Sequence, residues 1–502
     1  MTLRPYLTLS PADNVAVALQ PFAVGSHAAG TIMLEAIAKG HKFSVRPIFA
    51  GEPIIKYSQI IGFATADIAK GQHVHIHNVR PSDANDERRA VKRNFAVRQT
   101  LSSYTFNGYR RADGRFGTRN YIGVMTSVNC AGTVAKLIAE EAAQRIALPA
   151  AGLDGVAAFP HTTGCGMSDH GGGYELLRRT LNGYLTHPNF GGILMVGLGC
   201  EQMQIQRLLR ECGLAQNDGI RFLTIQGEGG TRATVEAGLR IVQEMVPAVA
   251  QIRREAAPVS ELSVALQCGG SDAYSGITAN PALGCAVDLL TTAGATAILT
   301  ETPEIFGAEH ILAARSRCPE VAEKLYSKLS WWETYARFFG NALNNNPSPG
   351  NKMGGLTTIM EKSLGAVAKG GNSTLEEVID YAERPSRRGL IFMDGPGFDP
   401  CSATGQIASG ANVLCFTTGR GSAFGCKPVP SIKLASNSEL YSRMRDDMDI
   451  NCGDVVEDIS IEEKGTEILD RIISVASGER TRSEQLGYGD LEFVPWQLHA
   501  VL

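Results

Sequence analysis

Gly192-Ile-Leu-Met-Val-Gly-Leu-Gly-Cys-Glu201 decides the fold class. Its apolar run stops at a glycine turn that delivers a thiol and a carboxylate. A strand buried on both faces of a parallel sheet reads this way, because no solvated face demands alternation. Leu262-Ser-Val-Ala-Leu-Gln-Cys-Gly-Gly-Ser-Asp272 repeats the pattern, and His161-Thr-Thr-Gly-Cys165 makes a third glycine–cysteine turn. Open α/β sheets bind ligands at the carboxyl ends of their strands. Thiols, an imidazole and carboxylates delivered there predict a metal site or covalent chemistry, and therefore an enzyme.

On either side of this stretch, strand-like and helix-like segments alternate. Tyr121-Ile-Gly-Val-Met-Thr126 precedes a helical pattern over 131–141, and Gln204-Ile-Gln-Arg-Leu-Leu-Arg210 follows the Gly192 run. Beyond Leu262 come Thr296-Ala-Ile-Leu-Thr300, Leu390-Ile-Phe-Met393 and Asn412-Val-Leu-Cys-Phe416. Such alternation predicts α/β architecture with mostly parallel, doubly wound sheets. Residues 11–80 differ, alternating apolar and polar positions as in Asn14-Val-Ala-Val-Ala-Leu19, which predicts a small β module. The charge-dense Pro81-Ser-Asp-Ala-Asn-Asp-Glu-Arg-Arg89 opens a linker. The expected organisation is a β module over 1–80, a linker over 81–103, a Rossmann-like α/β domain over 104–260 and a C-terminal α/β domain over 261–502.

Length and composition narrow the function classes. At 502 residues the chain exceeds one ordinary domain. A net charge of -4 supplies no basic stripe, so no nucleic-acid partner is expected. No apolar stretch reaches the roughly 20 residues of a membrane span. The first residues lack a signal-peptide core, and the 11 cysteines follow no disulfide framework, so a reducing cytoplasm is expected.

The motifs leave several readings open on spacing alone. Gly197-Leu-Gly199 lacks the third glycine of a dinucleotide fingerprint, since Gln202 stands there. His161 and Cys165 could bind one ion from a single turn, with Cys200, Glu201, Cys268 and Asp272 completing the shell. That mixed donor set suits Fe(II) or Zn. Buried cysteine acting as a small hydrophobe is the competing reading. His73-Val-His-Ile-His77 puts three imidazoles on one strand face, a ligand surface or a solvated edge. Asn351 and Lys352 in Asn346-Pro-Ser-Pro-Gly-Asn-Lys352, and Arg420 after Thr417-Thr-Gly, suit carboxylate recognition or loop ion pairs.

Together these segments resemble the altronate/galactarate dehydratase family. The matching pieces include Gly40-His-Lys, Ile55-Lys-Tyr57, His73-Val-His-Ile-His-Asn78, Asp113-Gly-Arg-Phe-Gly-Thr-Arg-Asn120 and Gly197-Leu-Gly-Cys-Glu201. Cys268-Gly-Gly-Ser-Asp-Ala-Tyr-Ser-Gly276, Thr278-Ala-Asn-Pro281, Asn346–Lys352 and Thr418-Gly-Arg-Gly421 continue the match to the third block. The resemblance implies that the first module is a SAF-like β-clip. In the related sulfolactate sulfo-lyases that module is a separate subunit, in keeping with a linker behind it. His73–His77 and Pro303–Glu309 look altronate-type, whereas Met448–Asn451 and Phe416–Arg420 look galactarate-type. Gly166–Gly173 follows neither.

The resemblance further implies a hydro-lyase, dependent on Fe(II) or another divalent metal, that converts a sugar acid to a 2-keto-3-deoxy acid. Abstraction of the α-proton builds enediolate charge, which a cation on the carboxylate and α-hydroxyl offsets. His161, Cys165, Cys200 and Cys268 are the expected metal ligands. His41, His75, Lys56 and Lys352 are candidates for proton transfer, and Arg119, Asn351, Arg420 and Asp272 for holding substrate. An active site shared between module and body is expected, because imidazoles that titrate near neutrality concentrate in the module. A homo-oligomer is also expected. A sulfo-lyase and a non-catalytic sugar-acid binding protein are the alternatives.

Overall fold

The computed structural model describes residues 4–81, 104–146, 152–217 and 219–498. Ser263–Cys268, buried at all but its first position, lies inside a parallel sheet of seven strands. To one side stand Thr296–Leu299, Gly389–Met393 and the edge strand Leu375–Ile379. To the other stand Val413–Thr418, Ser431–Ala435 and Ile450–Asn451. The chain therefore leaves Ser263–Cys268 in one direction and later returns to its opposite side at Val413. Such a reversal opens a crevice at the carboxyl ends of the two strands beside it, where α/β sheets bind ligands.

A second parallel sheet runs in the order Gly155–Phe159, Tyr121–Thr126, Phe190–Gly197, Ile220–Thr224. Helices Gly132–Arg145 and Thr231–Gln251 bury Val134, Ile138, Val235 and Val242 against one face. Helix Gly172–Leu185 covers the other and meets helix Asp399–Ala408 of the larger sheet. The contact requires glycine: a Cβ at Gly183 would stand 2.2 Å from the Ala408 carbonyl oxygen. Thr105–Arg110 pairs antiparallel with Arg254–Pro258, so the start and end of this segment are stitched together.

The first module is built of short antiparallel pairs, including Val15–Ala18 with Lys42–Ser44 and Pro53–Lys56 with Gln59–Ala64. Its last strand, Val79–Arg80, pairs with Gln59–Ala64. The expected linker lies, past Pro81, outside the described residues. One expectation changes in detail. Only His73 and Val74 are strand, and His75–Asn78 turn, with Asn78 accepting from the His75 amide and donating to the His73 carbonyl. The imidazoles still gather on one side. Among the described residues, no helix is long and apolar enough to cross a membrane.

Candidate active site

A cavity of about 350 Å³ opens at the carboxyl ends of the central strands of the seven-stranded sheet. Cys268 enters it from the end of Ser263–Cys268, and Glu301 and Glu304 follow Thr296–Leu299. Asp399 begins the helix after Gly389–Met393. Lys362 and Lys369, seven residues apart on and just past helix Ile359–Ala368, reach in from one helix face. A Cβ at Gly269 would stand 2.3 Å from an Asp399 carboxylate oxygen, so only glycine admits that carboxylate.

Lys362 Nζ donates to Glu304 at 2.6 Å and to the Asn346 side-chain oxygen at 2.9 Å, while Asn346 donates to Glu304 at 2.8 Å. Lys369 Nζ lies 3.0 Å from Cys268 Sγ and 4.0 Å from Glu301. The Cys268, Glu301 and Glu304 donor atoms all lie within 4.8 Å of one another, and all three residues are buried. Glu301 Oε2 has no hydrogen-bond partner. Burial, then the Glu304 and Asp399 charges, push the Glu301 carboxyl well above the usual range. Burial and Glu304 lift Asp399 to about 7, with Lys362 and Lys369 opposing. Burial also raises the Cys268 thiol against the pull of Lys369. Packed acids with an orphaned oxygen fit a divalent cation, which would neutralise the charge that burial penalises.

The expected proton-transfer residues fall into two groups. His41 joins His73 and His75 in a cluster whose donor atoms also lie within 4.8 Å of one another. His41 Nδ1 is 3.0 Å from His73 Nε2, and His41 Nε2 is 3.2 Å from the Met353 carbonyl oxygen. Burial, and then the neighbouring cations, push His73 down to about 4 and His75 to about 3. These rings are thus neutral near pH 7, suited to accepting a proton weakly or to ligation. The short helix Pro349–Met353 separates the cluster from the cavity, since Ser348 and Asn351 line the cavity at its start.

Lys56 does something else. It and Lys42 are both fully buried on the carboxylate of Glu361, at 2.8 and 2.9 Å. Burial lowers Lys42 to about 8. For Lys56 burial works in the same direction, but Glu361 and Tyr57 outweigh it and hold the ammonium above its ordinary range. The two lysines belong to the module and Glu361 to the body, so the cluster is a seam. Expecting Lys56 to reach substrate is corrected by that burial.

The expected substrate-holding residues divide likewise. Arg119 is buried, clamping Glu484 at 2.6 and 2.8 Å and donating to the Val475 and Glu479 carbonyl oxygens. It fastens the second sheet's first strand to the C-terminal helices, with nothing left for a ligand. Asp272 accepts from Ser275, Ser436 and Asn437, holding its own turn. Asn351 caps its helix and donates to the Ser271 carbonyl oxygen while lining the cavity. Arg420 is exposed, its amide on the Gly270 carbonyl oxygen at the cavity edge, and Lys352 is half-buried beside Asn351. Arg119→Ala is expected to lower unfolding free energy by about 3–5 kcal/mol, because it strands Glu484 without its partner. Urea unfolding measures this. An unchanged midpoint with a raised KM would return Arg119 to substrate binding.

The four expected metal ligands do not converge. His161 is buried with Nε2 on the Thr126 carbonyl oxygen at 3.0 Å and Nδ1 accepting from the Thr163 amide. Cys165 and Cys200 are exposed beside the four-stranded sheet, whereas Cys268 is buried at the end of the other. Glu301, Glu304, Lys362, Lys369 and Asp399 were not among the sequence candidates. The available signals were two carboxylates just past a strand and two lysines two turns apart on and just past a buried helix.

A cavity lined by carboxylates and a buried lysine, at the switch point of a parallel sheet, is the make-up of an enzyme active site. Comparison narrows this. Residues 4–82 match the altronate/galactarate dehydratase SAF domain, 108–250 the D-galactarate dehydratase/altronate hydrolase second domain, and 259–501 the D-galactarate/altronate dehydratase C-terminal domain. The chain belongs to the D-galactarate/altronate dehydratase family, whose members are hydro-lyases. It is 35% identical to altronate dehydratase of Escherichia coli (strain K12) over 97% of this chain and 98% of that one. With galactarate dehydratase (L-threo-forming) of the same strain, identity is 37% over 96% and 95%. The (2R)-sulfolactate sulfo-lyase subunit beta of Chromohalobacter salexigens is 32% identical over 80% of this chain and 99% of its own.

Proposed function

We propose that this protein dehydrates a six-carbon sugar acid of altronate or galactarate type to its 2-keto-3-deoxy acid, in the cavity around Cys268. The observation that carries the reading is one buried cluster holding an acid poised near neutrality, Asp399, together with a donor set for a cation. Cys268, Glu301 and Glu304 would hold an Fe(II) ion, which would supply Lewis-acid stabilisation of charge on the substrate carboxylate and α-hydroxyl.

The chain's own residues do the rest. Lys362 and Asn346 present an ammonium and an amide to the substrate carboxylate. Asp399 takes the α-proton and returns it to the β-hydroxyl, which leaves as water. One group then serves as base and acid, and the enol tautomerises to the keto acid. Arg420 and Lys352, at the rim, are placed for the far end of the acid. Burial of the cluster keeps water from the enediolate and strengthens every charge interaction on it.

The test is an anaerobic assay with Fe(II) on altronate, galactarate and sulfolactate. Keto-acid formation from a sugar acid supports the reading. Sulfite release without keto acid from either sugar acid, or no turnover of any of them, would overturn it. Glu301→Gln and Cys268→Ser are each expected to raise the Fe(II) concentration for half-maximal turnover at least about tenfold, since even outer-shell changes cost that much. An unchanged Fe(II) dependence would move the ion elsewhere.

A further inference from the structure

Cys130, Cys165 and Cys200 lie outside the cavity, each exposed and in no disulfide. Each follows the carboxyl end of one of three neighbouring parallel strands. Cys130 comes after Tyr121–Thr126, the middle one, Cys165 after Gly155–Phe159, and Cys200 after Phe190–Gly197. Neighbouring strands run about 4.8 Å apart, so the three turns begin side by side. They are also bonded to each other. The Asn129 amide donates to the Thr163 carbonyl oxygen at 3.0 Å, and the Met203 amide to that of Gly164 at 3.0 Å. Ser127 Oγ donates to Glu201 at 2.7 Å, and the second Glu201 oxygen accepts from the Gly199 amide at 2.6 Å. Gly164, at φ +99°, lies so close that a Cβ would stand 2.1 Å from the Ser127 carbonyl oxygen. Gly164 is what lets the Cys165 turn touch the segment that leads to Cys130.

We infer that Cys130, Cys165 and Cys200 together bind a [4Fe–4S] cluster through three thiolates. Three soft donors select iron–sulfur clusters, zinc or Cu(I) over hard cations. A single tetrahedral zinc, bonded at about 2.3 Å, needs its sulfurs about 4 Å apart. Among the described residues, the groups whose donors all lie within 4.8 Å are His41–His73–His75, Glu35–His73–His77 and Cys268–Glu301–Glu304. The three thiols are not one of them. A cubane carries its ligand sulfurs on separate irons, so it accepts thiols set farther apart than one ion does. His161, the nearest imidazole in sequence, has both ring nitrogens taken by backbone, so the three thiolates are the ligands proposed. This site does not depend on the sugar-acid reading.

Loading from a synthetic cubane with four small thiolates balances simply. Three cysteine S–H bonds give three S–Fe bonds, and three small thiolates leave with the protons as thiols, with no change in oxidation state. The test incubates the full chain anaerobically with that cubane, removes the excess, and measures iron, acid-labile sulfide and the broad absorption near 400 nm. About four irons and four sulfides per chain are expected. Cys130→Ser, Cys165→Ser and Cys200→Ser should each lower the retained sulfide at least about fivefold. Cys318→Ser should leave it unchanged. Circular dichroism and the thermal midpoint confirm that each variant is folded, which their exposed positions favour. Retention of metal without sulfide, no retention, or equal retention in all variants would overturn the inference.

Discussion

Asp399→Asn is expected to lower turnover of the sugar acid between about a hundredfold and ten-thousandfold, the range lost with a general acid–base group. That corresponds to roughly 3–5 kcal/mol of transition-state stabilisation. The substitution keeps the shape of a side chain packed against Gly269, so the cavity is preserved. Substrate affinity, measured by titration calorimetry, should change by less than about threefold. Lys362→Met is the contrasting case. It removes a cation from Glu304 and Asn346 and should weaken binding as well as turnover. Parallel losses in both variants, confined to KM, would mean that Asp399 only holds substrate.

Glu361→Gln carries the largest expected effect on stability. Glu361 neutralises two buried ammonium groups and also accepts from the amide and hydroxyl of Thr357. Removing its charge leaves the buried ammonium groups of Lys42 and Lys56 close together without the carboxylate they share. Breaking such a pair typically costs about 3–5 kcal/mol, and here two cations share one anion. Because the lysines lie in the module and the glutamate in the body, the loss should appear as undocking before global unfolding. Hydrogen exchange should rise across Val15–Ala18 and Pro53–Lys56 while Ser263–Cys268 stays protected. A triple replacement by apolar residues should recover much of the lost stability, because the desolvation cost goes with the charges. A variant as stable as the wild type would show that the seam contributes nothing.

The parallel sheets and the β module were legible because burial leaves its mark on local sequence. An apolar run ending at glycine reports a strand hidden on both faces, and short apolar runs between glycine turns report the module. The site was less legible, since strand order decides which strand ends become neighbours. The Gly197–Glu201 and Gln267–Asp272 turns look alike in sequence, yet they end strands of different sheets. The Cys200 turn therefore lies beside those of Cys130 and Cys165, whereas Cys268 meets Glu301 and Glu304. Arg119 could not be told from a substrate-binding arginine by its motif, because Glu484 stands 365 positions away along the chain. The gathering of His41 with His73 and His75 was half legible. The motif placed three histidines close in sequence, but a turn at His75–Asn78 and packing against Lys42 gather them and lower their basicity.

In the proposed reaction the chemistry takes place around Cys268, Glu304 and Asp399 and not at the imidazole cluster. A crystal structure of Asp399→Asn with the sugar acid that the wild type dehydrates tests this most directly. The substrate carboxylate is expected within hydrogen-bond reach of Lys362 and Asn346, with its α-carbon facing residue 399. Substrate seated on His41, His73 and His75, with the cavity at Cys268 holding only water, would contradict it.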